Sequence, residues 1–371
     1  MTVSESDTSV VPTEQPVRPT VPSSFEPRKA KPVKWWAAVG AAFLALEVYV
    51  VSSWLLSGNV TRTPIGPDKV PSWMVFSVRA QEIGGFIVAL GVIYWFLIRP
   101  WRREGRLTLD DMFVICFILI YWQDPFLNYT QYVGTYNTAL FNLGSWVGNV
   151  PGWNSPNGHT FPEPLFWGGP AYVWAIFGGI VIANRIMRRV QARRPRLGTA
   201  GLIGAYVALF MVADLVLEVV FLRTGVYFYG GAMKEFTVFH GHYYQFPVYE
   251  VVLFGWSWAA WACVRHFRDD RGRTVAERGI DEVRATPKQK AGLRLLALIG
   301  ITNVIFLWCN IGWQWFGLHS DPWPNDISRR SYMNDGLCGS GTAYACPGPD
   351  VPINRPNSAY VTTGGRLAPP R

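Results

Sequence analysis

Residues 99–106 read RPWRREGR, a basic octet between two long apolar runs, and what surrounds it decides the fold. The arrangement recurs at alternate connections. Arg28, Lys29, Lys31 and Lys34 precede the first apolar run, and Arg185, Arg188, Arg189, Arg193, Arg194 and Arg196 separate the fourth from the fifth. The sixth-to-seventh connection is again rich in Arg and Lys, whereas the third-to-fourth, Thr130 to Pro164, contains neither. Basic residues gathered in every second loop are the orientation signal of a polytopic membrane protein whose basic loops stay in the cytoplasm. The pattern predicts a cytoplasmic N-terminus and an external C-terminal tail.

A span needs about 20 helical residues, because a rise of about 1.5 Å per residue must cross a hydrocarbon core of about 30 Å. The runs that qualify are Trp35 to Leu56, Trp73 to Ile98, Asp110 to Tyr129, Leu165 to Met187, Ala200 to Leu222, Pro247 to Val264 and Leu293 to Phe316. They are continuous rather than alternating with a period of two, which argues against a membrane β-barrel. The expected fold is an all-α transmembrane bundle of about seven spans. An odd number of spans also puts the two ends on opposite sides.

Composition agrees. Of 371 residues 50% are hydrophobic and 16% charged, and the 18 Trp suit interfacial belts and a large aromatic cavity. A net charge of +9 would suit nucleic acid, but basic residues at span ends favour anionic headgroups instead. Membrane lipids and an apolar small molecule are the expected partners, with no nucleic acid and no oligomeric state specified. Residues 1–30, rich in Ser, Thr, Pro and Val, are expected to be a disordered cytoplasmic segment, since they lack the apolar density to offset ordering entropy. The first apolar run is too long for a signal-peptide core and reads as an uncleaved anchor. Residues 31–318 form the expected helical domain with its external aromatic loop 130–164, and 319–371 an irregular external tail. Cys338 and Cys346 flank a Gly-Ser-Gly turn in that tail, where an oxidising compartment permits a disulfide; Cys116, Cys263 and Cys309 lie within spans as packing residues.

Ionisable groups inside a bilayer are costly and tend to mark function. Glu47 lies 12 residues into the first run, about 18 Å from its basic end. Asp124, Asp214, Glu218 and Glu250 fall at a matching level in runs three, five and six. Asn303, Asn310 and Gln314 share one face of run seven at separations of seven and four. Together they predict a polar cavity in the outer half. Each also has a plainer reading: Asp214 and Glu218 as a partly solvated pair with Arg223 as counter-ion, Glu47 as a single cross-bundle hydrogen bond. Arg79 and Glu82, three apart, read as a structural ion pair.

The loop after run three begins QDPFLNY at 123–129, continues YNTALFNLGSW at 136–146 and closes NVPGWNSPNGHTFPEPLFWGGP at 149–170. Long loops of this aromatic kind tend to be functional lids. Pro125 is expected to end or bend the third helix and aim Asp124 into the bundle mouth. Trp146, Trp153, Phe161 and Trp167 are candidate caps for an apolar ligand, with Asn128, Tyr129, Asn310 and Gln314 beside them and Glu163 as a further acid. No phosphate-binding glycine loop, NDxxD motif or CxxC pair occurs, and five His are too few for a membrane di-iron centre. His240 and His242 read as part of an interfacial aromatic loop. Run seven lacks the Lys of a retinal protein. No cofactor and no metal are expected.

The strings QDPFLNY, LFNLGSWVGNVPGWNSPNG and PEPLFWG together resemble the AveC-like spirocyclase family of actinobacterial membrane proteins, and the resemblance runs from the first helix to the seventh. It implies closure of a dihydroxyketone polyketide into a spiroketal, in some members with dehydration. Such a reaction needs acids, bases and shape, and no cofactor. No catalytic set is carried over with the resemblance, so the acids rank by placement: Asp124 first, then Glu218 and Asp214, then Glu250, Glu163 and Glu47. A non-catalytic lipid-binding scaffold and a transporter of lipid-like molecules are the alternatives.

Overall fold

The computed structural model describes residues 31–155, 157–339, 341–346, 351 and 360–369; the expected disordered segment 1–30 lies outside the described residues. The protein is mostly helical. Five helices are long and apolar enough to cross a membrane: α1 (Pro32–Leu56), α2 (Ser72–Glu104), α4 (Gly168–Arg193), α5 (Thr199–Thr224) and α7 (Pro287–Leu318). Two more elements complete the bundle. The first, α3 (Leu109–Leu119), tightens into a 3-10 segment, Ile120–Asn128, and the second is α6 (Tyr249–His266).

The sequence explains the break in α3. Pro125 has no N–H to donate back to Tyr121, so the α-helical ladder cannot continue through it. The tightening starts five residues before the proline, earlier than the expected bend. The amides of α7 then hold the segment. Asn303 Oδ1 accepts from Trp122 Nε1 at 3.1 Å and from Gln123 Nε2 at 2.5 Å, and Asn310 Nδ2 donates to the Gln123 carbonyl at 3.2 Å. Gln314 Nε2 donates to the Phe126 carbonyl at 2.7 Å, while its Oε1 accepts from Thr130 N and Oγ1.

α7 also packs along α1 at backbone contact. A Cβ on Gly40 would stand 1.9 Å from the Leu296 carbonyl oxygen, and one on Gly300 would stand 2.3 Å from that of Trp36. Only glycine fits at this crossing.

At one end the connections are basic and knitted together. Arg265 of α6 makes a bidentate pair with Asp110, 2.9 Å to each oxygen, and donates to Asn184 Oδ1 at 2.7 Å. Asn184 continues to Tyr206, and Tyr206 to His266. At the other end the connections after α1 and α3 interlock with each other and with the tail. Thr63 N donates to Asn142 Oδ1 at 2.9 Å, and Ser331 and Asp68 exchange bonds at 2.7 and 3.0 Å. Arg79 pairs with Glu82, whose other oxygen accepts from Phe141 N at 2.6 Å, so this pair pins the aromatic loop as a structural element.

The tail after Leu318 is more ordered than an irregular tether. It contains α8 (Asn325–Ser328), α9 (Ser331–Asn334) and a strand pair, Tyr360–Val361 with Leu367–Ala368. Tyr332, Met333, Asp335 and Leu337 are buried, and Cys338 is bonded to Cys346. Arg223 is no counter-ion to Asp214; it lies over the rings of Phe239 and Tyr244 at 4.6 and 3.8 Å. His240 and His242 are exposed in the adjoining turn, where His242 stacks on Tyr244.

Candidate functional site

A cavity opens between α3, α4, α5, α6 and α7, beneath the interlocked connections. Its volume is about 140 Å³. Five carboxylates line it: Asp124, Glu163, Asp214, Glu218 and Glu250. No Lys, Arg or His does so among the described residues.

The acids form two groups. In the first, Asp124 from the 3-10 segment meets Glu163 from the loop in hydrogen-bonding contact. Tyr172 donates to Asp124 Oδ1 and Tyr136 to Oδ2, both at 2.7 Å. Tyr172 opens a π-helical stretch of α4, Tyr172–Phe177, which turns Tyr172, Ala175 and Ile176 into the cavity. Such stretches often occur at functional sites. Glu163 is 2% exposed, and its Oε2 has no amide or hydroxyl donor. Burial first, and then the adjacent Asp124 carboxyl, push the Glu163 carboxyl well above the usual carboxylate range.

In the second group Asp214 and Glu218 share one face of α5, four residues apart, and Glu250 faces them from the first turn of α6. Oxygens of all three lie within 4.8 Å of one another. Asp214 and Glu250 are in hydrogen-bonding contact. Tyr227 donates to Glu218 Oε1 at 2.5 Å and Tyr229 to Oε2 at 3.1 Å.

A two-stranded roof joins the groups. β1 (Gly134–Tyr136) pairs antiparallel with β2 (Tyr227–Tyr229), with Tyr136 opposite Tyr227. Side chains two apart on a strand share a face, which is why Tyr227 and Tyr229 reach the same carboxylate. Asn128 fixes the start of β1: its Oδ1 accepts from Val133 N and Gly134 N, and its Nδ2 donates to the Gly134 carbonyl at 2.7 Å. Behind the roof Thr135 donates to Asp335, a fully buried acid of the tail. Burial, with Glu163 nearby, raises Asp335 well above the usual carboxylate range.

Of the residues singled out in the sequence, Asp124, Glu163, Asp214, Glu218, Glu250, Asn128, Phe161, Trp167 and Asn310 line the cavity. Glu47 does not; it is half-buried on α1. Trp146 is buried in the lid and donates to the Trp122 carbonyl at 2.8 Å, and Trp153 packs edge-on against Tyr129 and Phe161. Tyr129 points away and bonds the Pro151 carbonyl, and Gln314 clamps the 3-10 segment. The tyrosines 136, 172, 227 and 229 and the buried Asp335 were not foreseen. The one available signal was the alternation in YFY at 227–229, which places two hydroxyls on one side.

A metal would find oxygen donors in Asp214, Glu218 and Glu250, with Tyr227 and Tyr229 orienting Glu218. What the cavity offers directly is proton chemistry on a neutral molecule: carboxyl pairs in unequal surroundings, each backed by phenols, within aromatic walls. Neither the curated proteins nor the solved structures provide a match to the chain. A family model described as "Spirocyclase AveC-like" matches residues 102–333, more than half of the chain and all five cavity acids, and the protein therefore belongs to the AveC-like spirocyclase family.

Proposed function

We propose that the protein is a multi-pass membrane cyclase that closes, or dehydrates, an apolar hydroxyketone by cofactor-free acid/base chemistry. Family membership supports a cyclase-like role in general. The observation that carries the finer reading is the contact between Asp124 and Glu163 in unequal surroundings. Two phenols donate to Asp124, while burial and then that neighbour push Glu163 well above the usual carboxylate range. Carboxyl pairs pushed apart in this way divide into a base and an acid.

The assignment reverses the sequence-based ranking. Glu163 acts as the acid and Asp124 as its partner base. A hydroxyl of the substrate adds to the ketone to give a hemiketal. Glu163 protonates the hemiketal hydroxyl, which leaves as water, and the resulting oxocarbenium ion is captured by the second hydroxyl. That hydroxyl loses its proton to the Asp124–Glu163 pair, so the pair ends as it began and the net change is loss of one water. Aromatic faces at Trp167, Phe221 and Trp258 suit the transient cation.

The same proposal includes seven spans with the basic end in the cytoplasm. Five apolar helices support it, and so does the segregation of Arg-rich and Arg-free connections to opposite ends. α3 and α6 would be the remaining spans, shorter and more polar because they carry the site.

The test is a synthetic dihydroxyketone able to close two six-membered rings, incubated at neutral pH with the full chain in nanodiscs, with spiroketal followed by mass spectrometry. Formation above the uncatalysed rate is expected, falling about 10²- to 10⁴-fold in Glu163→Gln and Asp124→Asn. Wild-type rates in both variants would refute the acid pair. Variants that changed only thermal stability would favour the scaffold reading.

A further inference from the structure

Acidity is the least balanced property of the cavity: five carboxyl groups face it, and among its described lining residues no cation does. The phenols account for Asp124 and Glu218. They do not account for Asp214 Oδ2 and Glu250 Oε2, which lack any amide or hydroxyl donor on side chains only 2% exposed. A carboxylate oxygen can only accept, so this contacting pair holds a shared proton when the cavity is empty, and a positively charged ligand can take the place of that proton.

The nature of that ligand follows from what surrounds it. A hard divalent ion takes about six oxygens. Here three carboxyl groups supply oxygens, and the nearby walls are Phe254, Trp258, Phe306 and Trp313, which supply none. Ring faces beside carboxylates instead suit an ammonium group on an apolar body, because the ring quadrupole attracts cations and the rings bury the hydrocarbon. Carboxylates and phosphates meet five acids and no counter-charge.

We propose that this cavity binds a protonated amine carrying an apolar body, its ammonium held by Asp214 and Glu250, and that it rejects carboxylates. The inference concerns ligand charge and does not rest on turnover. A developing oxocarbenium ion would be favoured by the same field, but the two readings can fail separately.

Three probes of one shape decide it: cyclohexylmethylamine, cyclohexylmethanol and cyclohexanecarboxylate, titrated calorimetrically at neutral pH into the full chain in zwitterionic nanodiscs. The amine is expected to bind at least tenfold more tightly than the alcohol, and the carboxylate not at all. In the Asp214→Asn/Glu250→Gln double variant the amine should fall to the affinity of the alcohol, whose own binding, unchanged, reports an intact cavity. Equal affinity of amine and alcohol for the unmodified protein overturns the proposal, and that comparison needs no variant. So does a preference that survives in a double variant still binding the alcohol. Saturable Mn²⁺ binding that excludes the amine and vanishes in that variant would replace the proposal with a metal centre.

Discussion

Tyr136 and Tyr227 are cross-strand partners whose rings lie 5.8 Å apart, yet their hydroxyls serve different acids, Asp124 and Glu218. The roof is thus a spacer that fixes the distance between the two carboxyl groups. Any substrate that engages both must match that distance.

Removing one phenol should act on chemistry more than on folding. A hydrogen bond to a charged acceptor is worth about 1.5–3 kcal/mol, so Tyr136→Phe should slow cyclisation by roughly 10- to 100-fold if Asp124 works as a carboxylate. Tyr243→Phe, whose hydroxyl bonds the Arg223 carbonyl outside the cavity, should leave the rate unchanged. Steady-state rates of the two variants give the comparison.

Glu163 makes stability depend on pH with a definite sign. Its carboxyl is raised in the folded protein above an ordinary value of 4.5, so between the two values the folded state binds a proton that the unfolded state has released. Stability must fall as pH rises through that window. Glu163→Gln, which cannot ionise, should flatten the slope and unfold at a higher temperature than the unmodified protein at pH 8, with the gap closing towards pH 5. Thermal unfolding across that range measures it, and a steeper slope in the variant would contradict the assignment.

Arg265 tests the opposite end. Removing one partner of a fully buried ion pair costs about 3–5 kcal/mol, and here the cost is smaller because Asp110 is 29% exposed. Arg265→Ala, which removes the partner of Asp110 and Asn184, should lower the unfolding temperature while leaving ligand affinity at the cavity intact.

Orientation can be read chemically. Gly198→Cys lies in an Arg-rich connection and Asn154→Cys in the Arg-free loop. With the free cysteines replaced, an impermeant thiol reagent on intact cells should label the second and spare the first. The reverse labelling would invert the topology.

Much of the fold was legible because charge segregation along a chain needs no tertiary knowledge. The position of each acid along its helix could also be counted, since residues per turn convert directly into rise. Azimuth could not, and this is why Glu47, at a suitable position along its helix, stands outside the cavity while Asp214 and Glu250 meet within it. The amides of α7 show a second limit. Their common face was evident from spacing, but only the structure reveals that they mainly secure the 3-10 segment carrying Asp124. Glu163 ranked low because a loop position has no depth to count, and the loop's path is set by partners such as Glu82 and Asn142 that lie far away in sequence.

The tail that buries Asp335 behind Thr135 also orders events during synthesis. Ser331, Asp335 and the Cys338–Cys346 bridge leave the ribosome after all of α1 to α7, so the helices can assemble before the back wall of the roof exists. A nascent chain halted after α7 would carry every acid of the cavity and still lack its closure. Maturation of the site therefore waits on the last segment to be made, and on the compartment in which its cysteines can join.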